Sequence, residues 1–111
     1  MNNRVDSLVE IFGNDTLVLD KIQNYPKKVV ILIDHKCVSS TEQFLLSAIQ
    51  SEKVTLMGQA SGGVLDYSNM REASLGNSIF TLFHATSRSR RIDVGKGIDN
   101  VGLDYKQDWI L

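Results

Sequence analysis

The run Ser39-Ser40-Thr41-Glu42 places a hydroxyl that could act as a nucleophile three residues before a carboxylate. A serine between the carboxyl end of a strand and the start of a helix lies where parallel α/β sheets bind ligands. There the helix dipole and exposed N–H groups can stabilise a developing oxyanion. The same S-x-x-E pattern is also a capping box, in which serine and glutamate satisfy each other's backbone N–H groups. The local pattern by itself favours capping.

Hydrophobic periodicity predicts the elements that position Ser39. Val29–Ile33 is apolar at every position, which is typical of a strand covered on both faces. Thr41–Glu52 has apolar residues at helical spacing, and Val54–Met57 follows as a second strand. The packed face of the predicted helix consists of Phe44, Leu45, Ala48 and Ile49. Strand, helix and strand in this order form a βαβ unit with parallel strands, so the sequence predicts an α/β fold.

The rest of the chain has weaker signals. Apolar spacing predicts short helices over residues 8–12 and 15–24. A stretch rich in Ser, Gly and Asn after Gly58 predicts a loop that extends to the strand Ile79–His84. The segment Ile98–Leu103 receives no assignment.

Composition limits the class of protein. The 111 residues suffice for one small domain, and 42% hydrophobic with 23% charged residues indicates a globular, soluble chain. The net charge of -1 predicts no nucleic-acid partner, and the longest apolar run is too short for a membrane segment. A single cysteine cannot form an internal disulfide, which leaves the compartment open.

Other side chains offer alternative chemistry. His35, four residues before Ser39, could act as its base, but a histidine beside a strand end is usually only exposed. Cys37 could be a thiol nucleophile, but no third group orients a Cys37–His35 pair. His84 is predicted to be partly buried and structural. Two histidines and one cysteine, none at a ligand spacing, predict no metal and no cofactor.

Arg88, Arg90 and Arg91 form a small basic cluster. Arginines can bind a substrate carboxylate through two hydrogen bonds. The same cluster is also typical of a solvated strand edge, and it is too small to predict nucleic-acid binding.

Three motifs in register resemble the signature of tail-specific (C-terminal processing) serine peptidases and their tricorn-core-like relatives. In that family a buried strand leads to S-A-x-E, a helix follows, and the next strand ends in G-E-x-T-x-G. Here the corresponding runs are Ser39-Ser40-Thr41-Glu42 and Gly58-Gln59-Ala60-Ser61-Gly62-Gly63. Ile98-Asp99-Asn100-Val101-Gly102-Leu103 is similar to the closing segment, although the proline of its G-[IV]-x-P-D ending is missing.

The resemblance implies that residues 1–111 are the C-terminal part of a peptidase domain with the ClpP/crotonase-like fold. It implies hydrolysis of peptide bonds through an acyl-enzyme on Ser39, with the N–H of Ser40 as half of the oxyanion hole. Lysine-dependent relatives carry their base where this chain has Val64. The resemblance therefore points to the tricorn-like branch, whose base is a histidine from an upstream segment. Asp99 is similar to the acid that helps to orient that histidine, and an aspartate that holds a turn is an equal alternative.

We therefore predict a serine peptidase acting on peptide or protein substrates, whose histidine and glycine-rich oxyanion loop lie before Met1. The isolated chain is then inactive. The alternative is a non-catalytic relative that binds peptides or another ligand in the same crevice. Parallel strands without neighbours also predict a homo-oligomer through exposed sheet edges. Family members are commonly exported in bacteria, but we identify no targeting signal in this sequence.

Overall fold

The computed structural model describes residues 8–13, 15–76 and 79–104. In chain order the elements are β1 (Val29–Ile33), α1 (Ser40–Ala48), β2 (Val54–Gly58), β3 (Tyr67–Leu75), β4 (Phe80–Arg88) and the 3-10 helix Arg90–Val94. β1 pairs with β2, and β3 pairs with β4. None of the described helices has the length and apolar character needed to cross a lipid bilayer.

β1, α1 and β2 form the predicted βαβ unit. The two strands pair in parallel, with Val29 opposite Val54 and Ile33 opposite Gly58. Parallel strands need a crossover connection, and α1 supplies it. The α/β class predicted from the sequence is therefore confirmed.

β1 is covered on one face only within the described residues, so the prediction of two covered faces is wrong for this part of the chain. Ile31 and Ile33 face the hydrophobic core, whereas Val30 and Leu32 are exposed. Side chains alternate between the two faces of a strand, and α1 packs against one of them.

The packed face of α1 differs from the predicted one. Phe44 is 59% exposed, whereas Leu46 is only 3% exposed and belongs to the core. Glu42 is buried on the same face as Leu45 and Leu46, with Ile49 packed beside them. These residues follow the i, i+3, i+4, i+7 spacing of an amphipathic helix, and a carboxylate occupies the first position.

β3 and β4 form an antiparallel hairpin, with Tyr67 opposite Arg88 and Leu75 opposite Phe80. The predicted loop before Ile79 is wrong, because much of that stretch is β3. Its many polar residues weaken the strand signal, and cross-strand pairs with β4 stabilise it instead. The predicted strand at residues 79–84 is present and continues to the end of β4. His84 is exposed rather than partly buried.

The N-terminal residues contain no helix within 8–13 and 15–28, so both short helices predicted there are wrong for the described residues. Their large apolar side chains are exposed, including those of Leu8, Phe12 and Leu17. Short helices are marginal in water unless an apolar face packs against something. These segments have the helical spacing, but within the described residues their apolar faces are not buried.

The core lies between α1 and the parallel sheet. Its buried members are Ile33, Leu45, Leu46, Leu56, Ile98 and Leu103. The last two come from the segment that the sequence left unassigned. Segment 98–103 is therefore part of the core and passes beside the start of α1.

We expect the isolated chain to self-associate, because Val30, Leu32 and Met57 leave the uncovered face of the parallel sheet apolar and exposed. Sedimentation of the wild type should give a mass above 12.4 kDa that rises with concentration. Leu32→Glu should shift this mass toward the monomer. Leu19→Glu, at an exposed site outside the sheet, should not. A strict wild-type monomer at high concentration would contradict the expectation.

Candidate active site

Ser39 lies on a sharp turn between β1 and α1. Asp34 starts this turn, because its side chain accepts the N–H of Lys36 at 2.9 Å and its carbonyl accepts the N–H of Cys37 at 3.0 Å. Ser39 is exposed and has φ 53° and ψ -118°. Positive φ is uncommon for a residue other than glycine. Such a conformation costs roughly 1–3 kcal/mol and persists only where the surroundings impose it.

The side chain of Glu42 imposes the conformation. Its carboxylate is fully buried and accepts four hydrogen bonds. Oε2 accepts from the N–H groups of Ser39 at 3.0 Å and Val64 at 2.9 Å. Oε1 accepts from the Ser61 hydroxyl at 2.6 Å and the Gly63 N–H at 2.7 Å. An ionised carboxylate offers about four acceptor positions, so its capacity is filled.

Ser61 connects this cluster to segment 98–103. Its hydroxyl accepts the N–H of Leu103 at 2.7 Å, and its own N–H donates to the Leu103 carbonyl at 3.0 Å. Gly63 has φ +67°, and a Cβ there would stand 2.7 Å from the Gly102 nitrogen. The first two motifs therefore meet at Glu42, and the third joins them through Ser61 and Gly63, where close backbone approach requires glycine.

The structure shows the capping role of Ser39, and its role as a nucleophile stays a prediction. Ser39 and Glu42 have the arrangement of a capping box, but the Ser39 side chain makes no regular N-cap hydrogen bond. The well-formed hydrogen bond of this capping box is the one that the Ser39 N–H donates to the Glu42 carboxylate. The helix start is thus held mainly through the glutamate, and the Ser39 hydroxyl lies at an exposed position in front of α1.

Ser40 is the first residue of α1 and is exposed. The first N–H groups of a helix have no partner within it. Thr41 donates its N–H to Val38, whereas the N–H of Ser40 has no backbone acceptor among the described residues. It adjoins Ser39, as an oxyanion donor must, and this role stays a prediction.

Asp99 is not brought to Ser39 by any hydrogen bond of the described residues. Its carboxylate accepts the N–H groups of Leu65 at 2.6 Å, Asp66 at 2.7 Å and Tyr67 at 3.3 Å. These contacts are those of an aspartate that holds a turn, the alternative left open by the sequence. Its part in orienting a catalytic base stays a prediction.

Asp66 is a site residue that the sequence did not single out. It is buried and accepts N–H groups from Ile98 and, at 2.9 Å, from Asp99, while Arg91 lies 3.2 Å away as its ion-pair partner. Asp66 and Asp99 therefore each accept the other's backbone N–H. The two residues are 33 positions apart, and no local spacing indicates the exchange.

The arginine cluster is paired within the chain. Arg88 bonds Asp93 at 2.7 Å, and Arg90 bonds Glu10 at 2.8 Å. Hydrogen bonds to Asp93 and then to Tyr67 raise the pKa of Arg88. With Arg91 bound to Asp66, each guanidinium already has a carboxylate partner, as a solvated strand edge allows.

Other parts of the described chain contribute no site chemistry at Ser39. A cavity of about 660 Å³ lies between residues 8–12 and the end of β4; Arg88 and Arg90 line it, whereas Ser39, Ser40 and Asp99 do not. His, Cys, Asp and Glu side chains form no cluster able to hold a metal ion within the ranges that the structure describes. His35 is exposed in the turn before Ser39.

Replacing Glu42 with glutamine should destabilise the domain by about 2–4 kcal/mol, because the amide nitrogen cannot accept hydrogen bonds and leaves buried donors unsatisfied. Urea unfolding followed by circular dichroism measures the free energy of unfolding. Glu52→Gln, the same change at an exposed position, should stay within about 0.5 kcal/mol of the wild type. Equal stability of the two variants would show that the Glu42 cluster does not hold the turn.

Comparisons with known proteins are consistent with this geometry. No curated protein and no solved structure matches the chain significantly. The family model described as peptidase family S41 matches residues 5–106. The matched region contains Ser39, the Glu42 cluster and the closing segment. The chain therefore belongs to peptidase family S41.

Proposed function

We propose that this chain is the nucleophile-bearing part of a tail-specific, tricorn-core-like serine peptidase domain with the ClpP/crotonase-like fold. Membership of peptidase family S41 gives a peptidase-related function at the level of the family. The observation that carries the finer proposal is the conformation of Ser39. Its positive φ on a strand-to-helix turn is the kind of strain that holds a nucleophile exposed.

In the proposed reaction, the Ser39 Oγ attacks the carbonyl carbon of the scissile peptide bond. A base takes the hydroxyl proton and returns it to the leaving amine when the C–N bond breaks. The acyl group then remains on Ser39 until water hydrolyses the ester. The N–H of Ser40, at the positive end of the α1 dipole, donates to the oxyanion in both steps.

The base in this proposal is a histidine from a segment upstream of the chain. The position that carries lysine in lysine-dependent relatives is Val64, whose side chain cannot accept a proton. Asp99 acts as a positioning residue for the histidine, through an intervening serine. Three of its roughly four acceptor positions hold the turn, which leaves capacity for one more donor.

A fluorophosphonate probe tests the nucleophile. The full-length protein should be labelled covalently and Ser39→Ala should not, because the probe reacts with an activated serine hydroxyl. Ser47→Ala, an exposed hydroxyl on the same helix, is the matched control and should be labelled like the wild type. Equal labelling of wild type and Ser39→Ala would refute the assignment. Peptide binding without labelling of the wild type would favour the non-catalytic alternative.

Asp99→Asn separates the two roles of Asp99. If Asp99 orients the base, labelling of Ser39 should slow by about 100-fold and its pH dependence should change. Asp66→Asn perturbs the same turn from the other side and should alter stability without altering the pH profile. The same pH profile for Asp99→Asn and wild type, each measured on folded protein, would leave Asp99 a purely structural residue.

A further inference from the structure

Val64 is a neighbour of Ser39 because one oxygen atom holds both backbones. The N–H groups of Ser39 and Val64 lie 3.0 and 2.9 Å from Oε2 of Glu42. The Val64 residue is nevertheless 54% exposed. The backbone of an exposed aliphatic residue is thus fixed close to that of the proposed nucleophile, and its side chain is not part of the hydrophobic core.

The segment that carries Val64, residues 63–67, is called here the strap. Each of its five consecutive N–H groups donates to a carboxylate: Gly63 and Val64 to Glu42, and Leu65, Asp66 and Tyr67 to Asp99. Both carboxylates are themselves fixed. Glu42 is buried on the packed face of α1, and the backbone N–H of Asp99 donates to the Asp66 carboxylate. The strap therefore presents Val64 at a defined position rather than on a mobile loop.

Val38 lies on the other chain segment next to Ser39 and is also exposed. It packs on Gly62, since a Cβ at Gly62 would stand 2.4 Å from Cγ1 of Val38. Gly62 immediately precedes the strap. Two exposed aliphatic residues are therefore neighbours of Ser39: Val38 along the chain, and Val64 through the Glu42 oxygen that both backbones share.

We propose that Val64, together with Val38, forms the apolar wall of the subsite for the substrate residue on the amino side of the scissile bond. This inference rests on the proposed function of Ser39. The acyl part of the substrate becomes bonded to Ser39 in the first chemical step and is released in the second. The side chain of the residue that carries this acyl group must therefore lie next to the nucleophile. An apolar wall there favours an aliphatic side chain and excludes a charged one, which binding would strip of water.

Peptides that differ only at this residue test the inference. The full-length wild type should cleave a leucine peptide with a higher kcat/KM than an aspartate peptide. Val64→Asp should lower kcat/KM for the leucine peptide about 10–200-fold, the range expected for small apolar contacts in a pocket. For a lysine peptide, the decrease in kcat/KM caused by Val64→Asp should be smaller. The backbone N–H of residue 64 is kept in this variant, so its bond to Glu42 does not depend on the side chain.

The controls separate the subsite from the catalytic group. Val94→Asp makes the same change at a residue that is 70% exposed at the end of the 3-10 helix, and it should leave the peptide preference unchanged. Fluorophosphonate labelling of Ser39 should be the same in Val94→Asp and wild type. Val64→Ala, which adds no charge, should weaken the preference for leucine in the same direction.

A binding assay tests the peptide preference without requiring turnover. In the Ser39→Ala full-length protein, fluorescence anisotropy should show weaker binding of the leucine peptide when Val64 is replaced by aspartate. Unchanged preference in both assays, with Ser39 still labelled in wild type, would overturn the subsite and leave the proposed function standing. Absence of wild-type labelling would instead reject the proposed function, and unchanged anisotropy would then also reject the subsite.

Discussion

The buried carboxylate of Glu42 is the interaction on which the rest of this structure depends. An ionised carboxylate without partners is very costly to bury. Here donors from the turn before α1 and from the loop after β2 occupy the acceptor positions of the carboxylate. Ser61 extends the connection to a third segment, residues 98–103. The position of the loop after β2 and the strained backbone of Ser39 both follow from this side chain. The contacts that fix the candidate active site therefore also join α1 to the loop after β2.

The sequence was sufficient for the βαβ unit and for the position of Ser39, because both rest on strong local signals. It was insufficient for the packed face of α1, because hydrophobic periodicity counts only apolar residues and so leaves out Glu42. Including Glu42 with Leu45, Leu46 and Ile49 restores the regular spacing. A glutamate at a core position of a helix is thus a signal in itself, although local pattern does not identify the donors that satisfy it.

The remaining errors share a cause, which is that distant partners decide the structure. β3 is a strand because β4 pairs with it, and its own residues indicate little. Residues 8–12 have helical spacing, but their apolar side chains stay exposed, and they are not helical. The exchange between Asp66 and Asp99 links positions far apart in the chain. In each case the deciding contact is absent from any short window of sequence.

The strap has a further property that follows from its saturated N–H groups. Backbone that pairs with a neighbouring chain normally donates and accepts in alternation. Between residues 63 and 67 the donors are already committed to Glu42 and Asp99. A chain lying alongside therefore receives no hydrogen bond from the backbone N–H groups of the strap. Two of its carbonyls, those of Gly63 and Asp66, already accept the N–H groups of Asn100 and Ser89. The strap is thus a poor template for the continuous strand pairing that leads to aggregation.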